Sequence, residues 1–383
     1  MIEAANRLQT VEEYYFSTKL REVRSLQANG ISIINLGIGS PDLQPPESAV
    51  VALRNSFKDA QANQYQSYQG LPELREAMAN FYSYHYHVDL DPESEVLPLM
   101  GSKEGIMHIS MAFLNHGDQV LIPNPGYPTY ASVTNLLGAQ SILYHLNEEN
   151  NWMPDLEKLE EHDLSKVKLM WINYPHMPTG AVATEAYFIK LVAFARKHQI
   201  LIVNDNPYGF ILNQMPESIL SIPGAKDVCL ELNSLSKTFN MSGWRVGMVL
   251  GKTEYINYIL KVKSNMDSGM LYGIQKGAIE ALKSAMLWYE NLNQIYEERR
   301  KLIWQLADSL NCIYDKNAVG LFVWAKIPMA MKSEEFIDLL LKEKHIFIAP
   351  GTVFGSQGEG YVRFSLCAST DVIEKAIARV QCH

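Results

Sequence analysis

One run of the sequence brings a lysine, several hydroxyls and an arginine close together: Asn233-Ser234-Leu235-Ser236-Lys237-Thr238-Phe239-Asn240-Met241-Ser242-Gly243-Trp244-Arg245-Val246-Gly247. A lysine amine condenses with an aldehyde, and hydroxyls and a guanidinium hold a phosphate dianion. Pyridoxal 5′-phosphate (PLP) is both an aldehyde and a phosphate ester, so the spacing suits it. A short lysine motif also occurs on ordinary surfaces, so the remaining groups must be found elsewhere in the chain.

The composition excludes several other classes of protein. The chain has 383 residues, 47% hydrophobic and 20% charged, which is enough for a large core and a smaller second domain. A formal net charge of −9 without any Lys/Arg-rich run argues against a nucleic-acid surface. The histidines form no H-E-x-x-H motif, so no metal site is predicted.

Cysteine spacing and the N-terminus indicate the compartment. The four cysteines are widely spaced and form no C-x-x-C pair, which favours reduced thiols over disulfides or a metal site. The N-terminal stretch carries acidic residues and has no apolar signal core, and no apolar run reaches the length of a membrane span. We therefore expect a cytoplasmic protein.

Apolar runs alternate with helical patterns from about residue 47 to 285, which predicts an α/β fold with a mostly parallel sheet flanked by helices. Such sheets bind ligands at the carboxyl ends of their strands. The clearest helix covers 184–198. The clearest predicted strands are Gln119–Ile122, Ser141–Leu146, Val167–Asn173, Ile200–Asn204, Val228–Asn233 and Val246–Leu250.

The two ends of the chain predict a second domain. Residues 11–28 form an amphipathic helical pattern with Thr10 as its N-cap, and a long helical pattern runs from Tyr289 toward Leu310, with a β-rich segment after it. We predict two domains, a large PLP-binding domain over 46–288 and a smaller α+β domain formed by 1–45 and 289–383.

Several residues outside the lysine run suit the same cofactor. Asp205 closes a predicted strand, where its carboxylate would keep a pyridine nitrogen protonated, although a helix cap is the plainer interpretation. Tyr208 could then contact the phenolate oxygen of the ring. Gly101–Gly105 follow a strand-like run and open a helix, where free N–H groups bind phosphate, although many such junctions are only turns.

Three further residues have an open interpretation. Tyr127 and Tyr65 suit either stacking on a cofactor or plain packing. Arg363 lies in an apolar strand, where an unpaired guanidinium is costly, so it forms either an internal ion pair or a site for an anionic ligand.

Taken in order, these motifs resemble the class I/II aminotransferases of the fold-type I PLP superfamily, from about residue 30 to the end. The sequence at Gly101–Gly105 and Asn265–Gly269 most resembles that of the branch that includes the LL-diaminopimelate aminotransferases. The motifs that carry the resemblance are Gly37–Asp42, Tyr65 with Gly70 and Leu74-Arg75, Gly101-Ser102-Lys103, Tyr127, Pro178-Thr179-Gly180, Asp205 with Tyr208, Ser234–Lys237, Arg245 and Arg363.

The resemblance implies a seven-stranded-type sheet, a homodimer with shared active sites, and a ping-pong exchange between an L-amino acid and a 2-oxo acid. It makes Lys237 the Schiff-base lysine and proton shuttle, with Asp205 at the pyridine nitrogen and Tyr208 at the phenolate oxygen. Tyr127 would stack on the ring, and Tyr65 would reach the phosphate of the neighbouring subunit. Arg363 and the backbone of Gly39 would hold the substrate carboxylate. The phosphate ligands would be Ser102, Lys103, Ser234, Ser236 and Arg245.

One position departs from the family pattern. Family members usually have Asn-Pro-Thr-Gly where this chain has Met177-Pro178-Thr179-Gly180, and a thioether cannot donate the hydrogen bond of that asparagine. Either water or His176 replaces the donor beside Tyr208, or His176 points elsewhere and the site works with one donor fewer.

Related chemistry stays open at this point. The same fold and residues serve carbon–sulfur β-lyases and related enzymes, and a non-catalytic PLP-binding protein is the remaining alternative. No lone arginine marks a reader of a distal carboxylate, which disfavours a dedicated aspartate enzyme. We expect the substrate pocket to use the first 40 residues, the segment near Tyr127 and the partner's 264–272 loop, with Lys263 solvated beside it.

Overall fold

The computed structural model describes residues 2–10, 15–328 and 331–382, and it confirms the predicted α/β class. The strands are β1 Ile34–Asn35, β2 Val96–Leu99, β3 Gln119–Asn124, β4 Gln140–His145, β5 Val167–Ile172, β6 Leu201–Asp205, β7 Cys229–Ser234, β8 Gly247–Gly251, β9 Ile313–Tyr314, β10 Phe322–Lys326, β11 Ile346–Phe347, β12 Ala349–Pro350 and β13 Tyr361–Ser365. The helices are α1 Tyr15–Ala28, α2 Glu47–Ser56, α3 Pro72–Tyr86, α4 Ser102–Phe113, α5 Thr129–Leu136, α6 Leu156–Glu160, α7 Glu185–His198, α8 Leu235–Thr238, α9 Thr253–Lys263, α10 Tyr272–Leu282, α11 Met286–Ser309, α12 Ser333–Lys344 and α13 Thr370–Gln381. All six predicted strands are present, with ends shifted by a residue or two.

The largest sheet has seven strands in the order β2-β8-β7-β6-β5-β3-β4. The pairs from β7 to β4 are parallel, whereas β8 is antiparallel to both of its neighbours. Consequently β8 begins at the edge of the sheet where the other six strands end. This edge collects the loops that carry most of the predicted site residues.

Helices cover both faces of this sheet, and alternate residues of β5 show it. Leu169 and Trp171 pack into the core on one face, while Met170 and Ile172 pack into the core on the other. A strand that is buried on both faces has a nearly continuous apolar sequence, and this is why β5 could be predicted.

The two ends of the chain share a separate core. Residues from Val23 to Leu36 pack there with residues from Leu292 to Ile377, and β1 pairs in parallel with β11. An antiparallel sheet in the order β12-β13-β10-β9 forms one wall. Helix α11 faces this core through buried residues spaced three and four apart, at Leu292, Tyr296, Arg299, Ile303 and Leu306.

A side-chain cap explains where helix α7 begins. The Thr184 side chain accepts a hydrogen bond from the backbone N–H of Tyr187 and so caps α7. The predicted first helix is present from Tyr15 to Ala28, and the rest of its predicted start, positions 11–14, lies outside the described residues. Among the helices that the structure describes, none combines the length and the apolar character needed to cross a membrane.

Candidate active site

A cavity of about 440 Å³ opens at the carboxyl edge of the large sheet and collects all but one of the predicted site residues. The exception is Tyr65, which is 91% exposed and lies outside this cavity. The predicted residues that line the cavity are Gly39, Ser102, Lys103, Tyr127, Asp205, Tyr208, Ser234, Ser236, Lys237, Arg245 and Arg363.

Strand ends place these groups. Asp205 is the last residue of β6 and Ser234 the last residue of β7, so both face the same edge. Helix α4 begins with Ser102, shortly after the end of β2. Arg245 reaches the same place from the other direction because it lies two residues before the antiparallel strand β8.

Lys237 lies on the short helix α8, which begins where the Ser234 hydroxyl accepts a hydrogen bond from the Ser236 N–H. Its Nζ donates a hydrogen bond to the carbonyl oxygen of Gly39 at 2.6 Å. Burial lowers the pKa of the Lys237 amine. A lowered pKa increases the fraction of neutral amine, which is the form that acts as a nucleophile or takes up a proton.

Asp205 lacks a partner on one oxygen. Its Oδ2 accepts a hydrogen bond from the Tyr130 hydroxyl at 2.8 Å, whereas Oδ1 is buried with no hydrogen-bond partner. Burial raises the pKa of this carboxyl to about 7, against the opposing effects of Tyr130 and Lys237. A buried carboxylate oxygen calls for a charged donor, and a protonated pyridine nitrogen is such a donor. The residues present therefore fit PLP.

Two glycines open a place for an anion at the start of α4. A Cβ on Gly101 would overlap the guanidinium of Arg245, and a Cβ on Gly247 would lie 2.7 Å from the Ser102 nitrogen. Gly101 also has a φ of +88°, which other residues rarely adopt. The Arg245 guanidinium and the first N–H groups of α4 thus approach one another, which suits a phosphate.

Arg363 is buried on β13. Its Nη2 donates to the carbonyl oxygen of Gly37 at 2.8 Å, and its Nη1 lies 3.3 Å from the sulfur of Met177. The guanidinium carbon is 3.9 Å from the centre of the Phe322 ring and 4.6 Å from that of Phe354. This arrangement holds the guanidinium at the cavity wall, where a carboxylate can approach it.

Three polar residues of the cavity, Tyr130, Asn173 and Ser242, were not predicted from the sequence. Tyr130 holds Asp205, as described above. Asn173 follows β5 directly, donates from Nδ2 to the carbonyl oxygen of Asp205 and accepts from the Met177 N–H at 2.8 Å. An amide placed just after a predicted parallel strand was the available signal, but Asn173 was counted only as a strand end.

Leu20, Ile38, Phe322 and Phe354 add apolar surface to the cavity. Leu20 comes from α1, in agreement with the expectation that the first 40 residues contribute. The pattern of α1 did not indicate which of its residues faces the cavity.

The side chains of Met177 and its neighbour His176 lie in different places. Met177 lines the cavity, but His176 does not. The His176 Nδ1 is 2.8 Å from the Thr179 hydroxyl, and burial lowers the pKa of the imidazole to about 3, with the Pro125 carbonyl opposing this shift. His176 therefore points elsewhere, which favours the second of the two hypotheses on the lost donor.

The prediction that Lys263 is solvated was wrong. Lys263 is 1% exposed, and its Nζ donates to both carboxylate oxygens of Asp267, at 2.9 and 2.7 Å. The last turn of α9 directs this side chain inward, where Asp267 compensates the buried charge.

The seven-stranded sheet, with a lysine after β7 and an aspartate at the end of β6, has the architecture of a fold-type I PLP-dependent enzyme. The family model for aminotransferase class I and II matches residues 31–380. The chain belongs to this family and is a PLP-dependent aminotransferase.

Individual relatives agree with the family. The chain is 40% identical over 379 residues to the LL-diaminopimelate aminotransferase of Maridesulfovibrio salexigens, covering 98% of each chain. It is 38% identical over 383 residues to that of Aquifex aeolicus, covering 100% of this chain and 99% of the relative. The structure of BacF from Bacillus subtilis is similar with a TM-score of 0.95, at 37% identity, covering 100% of this chain and 98% of that one. These relatives do not favour the β-lyase alternative.

Proposed function

We propose that the site residues act as the resemblance implies and that the amino donor is LL-diaminopimelate. The observation that carries the assignment of the site is the buried, unpartnered Oδ1 of Asp205 in a cavity that is also lined by the partly buried Lys237. The substrate proposal draws its support from relatives of this name that are 38–40% identical over the full chain.

When bound, PLP supplies an aldehyde that captures amines and a ring that accepts electrons from the substrate. Asp205 holds a proton on the ring nitrogen, and Tyr130 fixes the orientation of its carboxylate. Lys237, with its lowered pKa, carries a proton to and from the substrate Cα. Tyr127 stacks on the ring, and Tyr208 donates to its phenolate oxygen.

Arg363 binds the substrate α-carboxylate as a planar, two-pronged donor and so orients the Cα–H bond for proton transfer. The backbone of Gly39 assists in binding this carboxylate. A Cβ at this position would overlap the Phe322 ring, so a glycine keeps the approach of the carboxylate to the backbone open. Beyond this point the wall is formed by Leu20, Ile38 and Tyr127. An apolar wall suits the methylene chain of a long amino acid.

We propose that the working unit is a homodimer in which Tyr65 contacts the phosphate of the partner's site. Tyr65, Tyr68, Met266 and Leu271 are large side chains that are 46–91% exposed on two segments in direct contact. An exposed apolar surface of this kind is typical of an interface. Sedimentation of the purified protein tests this, and a monomer at micromolar concentration would contradict it.

We also propose the domain boundaries given above, 46–288 for the large domain and 1–45 with 289–383 for the small one. The shared core of the two chain ends supports this division. A cytoplasmic location is proposed as well, supported by the four cysteines, which are all free thiols.

A half-reaction tests the proposed donor. The purified enzyme is mixed with LL-diaminopimelate, aspartate or an aromatic amino acid in the absence of any oxo acid, and its absorbance is followed. We expect LL-diaminopimelate to bleach the yellow colour fastest, and 2-oxoglutarate to restore it. Faster bleaching by another amino acid would replace the donor while leaving the aminotransferase assignment intact.

A further inference from the structure

A buried charged cluster lies beside the cavity without lining it. We call Glu104, His108, Lys263 and Asp267 the α4–α9 cluster, because it joins those two helices and the loop after α9. The side chains of Lys263 and Asp267 are 1% and 6% exposed, and that of His108 is 2% exposed. The ligand atoms of Glu104, His108 and Asp267 lie within 4.8 Å of one another. The Lys263 ammonium pairs with the Asp267 carboxylate at 2.7 Å.

One side of the cluster supports the phosphate-binding turn. The Glu104 Oε2 accepts a hydrogen bond from the Met100 N–H at 2.6 Å, next to Gly101 and the start of α4. The Glu104 Oε1 is 3.2 Å from the His108 Nε2, one turn further along α4, although neither ring nitrogen of His108 forms a hydrogen bond of normal geometry. The cluster therefore fixes the turn that precedes Ser102 and Lys103.

The other side of the cluster supports the segment that carries Tyr65. The Asp267 Oδ1 accepts a hydrogen bond from the Gly269 N–H at 2.7 Å. Gly269 has a φ of +89°, and a Cβ there would lie 2.5 Å from the Gln66 carbonyl oxygen, so the two backbones are in direct contact. Gln66 is the neighbour of Tyr65 in the chain.

We propose that Lys263 and Asp267 are positioning residues that hold the phosphate-binding turn of one active site in register with the Tyr65 segment that serves the partner's site. The proposal rests on the homodimer and the role of Tyr65 proposed above. Two helices and a loop could pack through apolar side chains alone, and such replacements often cost no stability. A buried ion pair at this junction instead fixes direction as well as distance.

Hydrogen exchange of the full chain loaded with PLP tests the physical link. In Lys263→Met we expect the amides of 65–70 and of 100–105 to exchange roughly tenfold faster together. Lys252→Met is the matched control, because it removes a lysine from the other end of the same helix. Lys252 directly precedes α9 and forms an exposed ion pair with Asp227 at 3.1 Å. It should leave both segments unchanged. Faster exchange confined to 264–271 would overturn the proposal.

Cofactor affinity tests the functional link by a double-mutant cycle. Asp267→Asn and Tyr65→Phe should each weaken PLP binding, and their combined effect should fall short of the product of the single effects by at least about threefold. Multiplicative effects would show that the cluster is merely structural and would overturn the proposal. An unchanged affinity in Tyr65→Phe alone would instead refute the proposed role of Tyr65, while the exchange experiment would still decide whether the cluster links the two segments.

A second variant covers the case in which the single changes do not fold. Lys263→Met combined with Asp267→Leu removes both charges and preserves volume, so the fold should survive. Although it folds, this variant should bind PLP about tenfold more weakly than the wild type, because no carboxylate then accepts the hydrogen bond of the Gly269 N–H. Wild-type affinity in this folded variant would overturn the proposal.

Discussion

The cavity has two ends, the proposed cofactor end and the proposed substrate end, and they differ in how their polar groups are held. At the cofactor end, on the large sheet, Asp205 has one oxygen without a partner, and the partly buried Lys237 amine has a lowered pKa. At the substrate end, Arg363 is held between two phenylalanine rings, a carbonyl and a thioether. In this proposal the cofactor end is completed only when PLP binds, whereas the substrate end is preorganised by the packing around Arg363. Changes at the first should alter cofactor chemistry, and changes at the second should alter recognition.

The largest effect is expected at Lys237. Lys237→Ala removes the amine that we propose captures the cofactor and carries the proton, so kcat should fall by roughly 10⁴-fold. Single-turnover absorbance measures this. Added methylamine should restore part of the rate if proton transfer is the lost function, and a variant within tenfold of wild type would refute the assignment.

Arg363→Lys tests the preorganised end. Lysine offers a point charge that cannot match a carboxylate with two parallel hydrogen bonds, and it loses contact with both rings. We expect kcat/KM to fall by an amount equivalent to about 2–5 kcal/mol, mostly through KM. The absorbance of the bound cofactor should stay unchanged, and a change in that spectrum would erase the distinction between the two ends.

Asp205→Asn tests the incomplete end through stability. In the cofactor-free protein the Asp205 carboxyl has a pKa of about 7 instead of its ordinary 3.8. As pH rises between these values the unfolded chain loses a proton that the folded protein keeps, so the free energy of unfolding decreases. The asparagine variant escapes this loss and should be more stable than the wild type by roughly 2–4 kcal/mol above pH 7.

The same variant should equal the wild type near pH 4, and saturating PLP should reverse the order at pH 8, because the carboxylate then has its partner. Calorimetry at both pH values measures the difference. An offset independent of pH would show that ionisation of Asp205 is not its cause.

Met177→Asn is the smallest change, and it lies where the two ends meet. It introduces an amide donor near the proposed position of the phenolate oxygen. A donor to an anionic oxygen contributes about 1.5–3 kcal/mol, so the pKa of the yellow cofactor chromophore should fall by about 1–2 pH units. Titration of its absorbance measures this, with Met177→Leu as the control. An equal pKa in all three proteins would mean that no donor is missing.

Sequence patterns predicted the cofactor end better than the substrate end. Asp205 and Lys237 follow apolar strands whose carboxyl ends must meet at one edge of a parallel sheet, so their proximity follows from the fold class. Lys263 was misplaced because a lysine at a helix end is usually solvated. Its partner Asp267 is only four residues further along the chain, but the burial of the pair depends on the packing of α9 against α4, which no local pattern shows. Leu20 and Phe354 reach the cavity through the packing of chain ends that are remote in sequence, and no local periodicity encodes such contacts.

The core shared by the two chain ends has a consequence for synthesis. Strand β1 pairs with β11, and the Gly39 carbonyl that receives the Lys237 amine lies just beyond β1. On the ribosome β1 emerges before the large sheet, whereas its partner β11 is translated after every strand of that sheet. The large sheet can therefore form earlier, but the segment that carries Gly39 is held in place only after β11 has joined β1. A nascent chain that ends before β11 holds an unfinished catalytic centre.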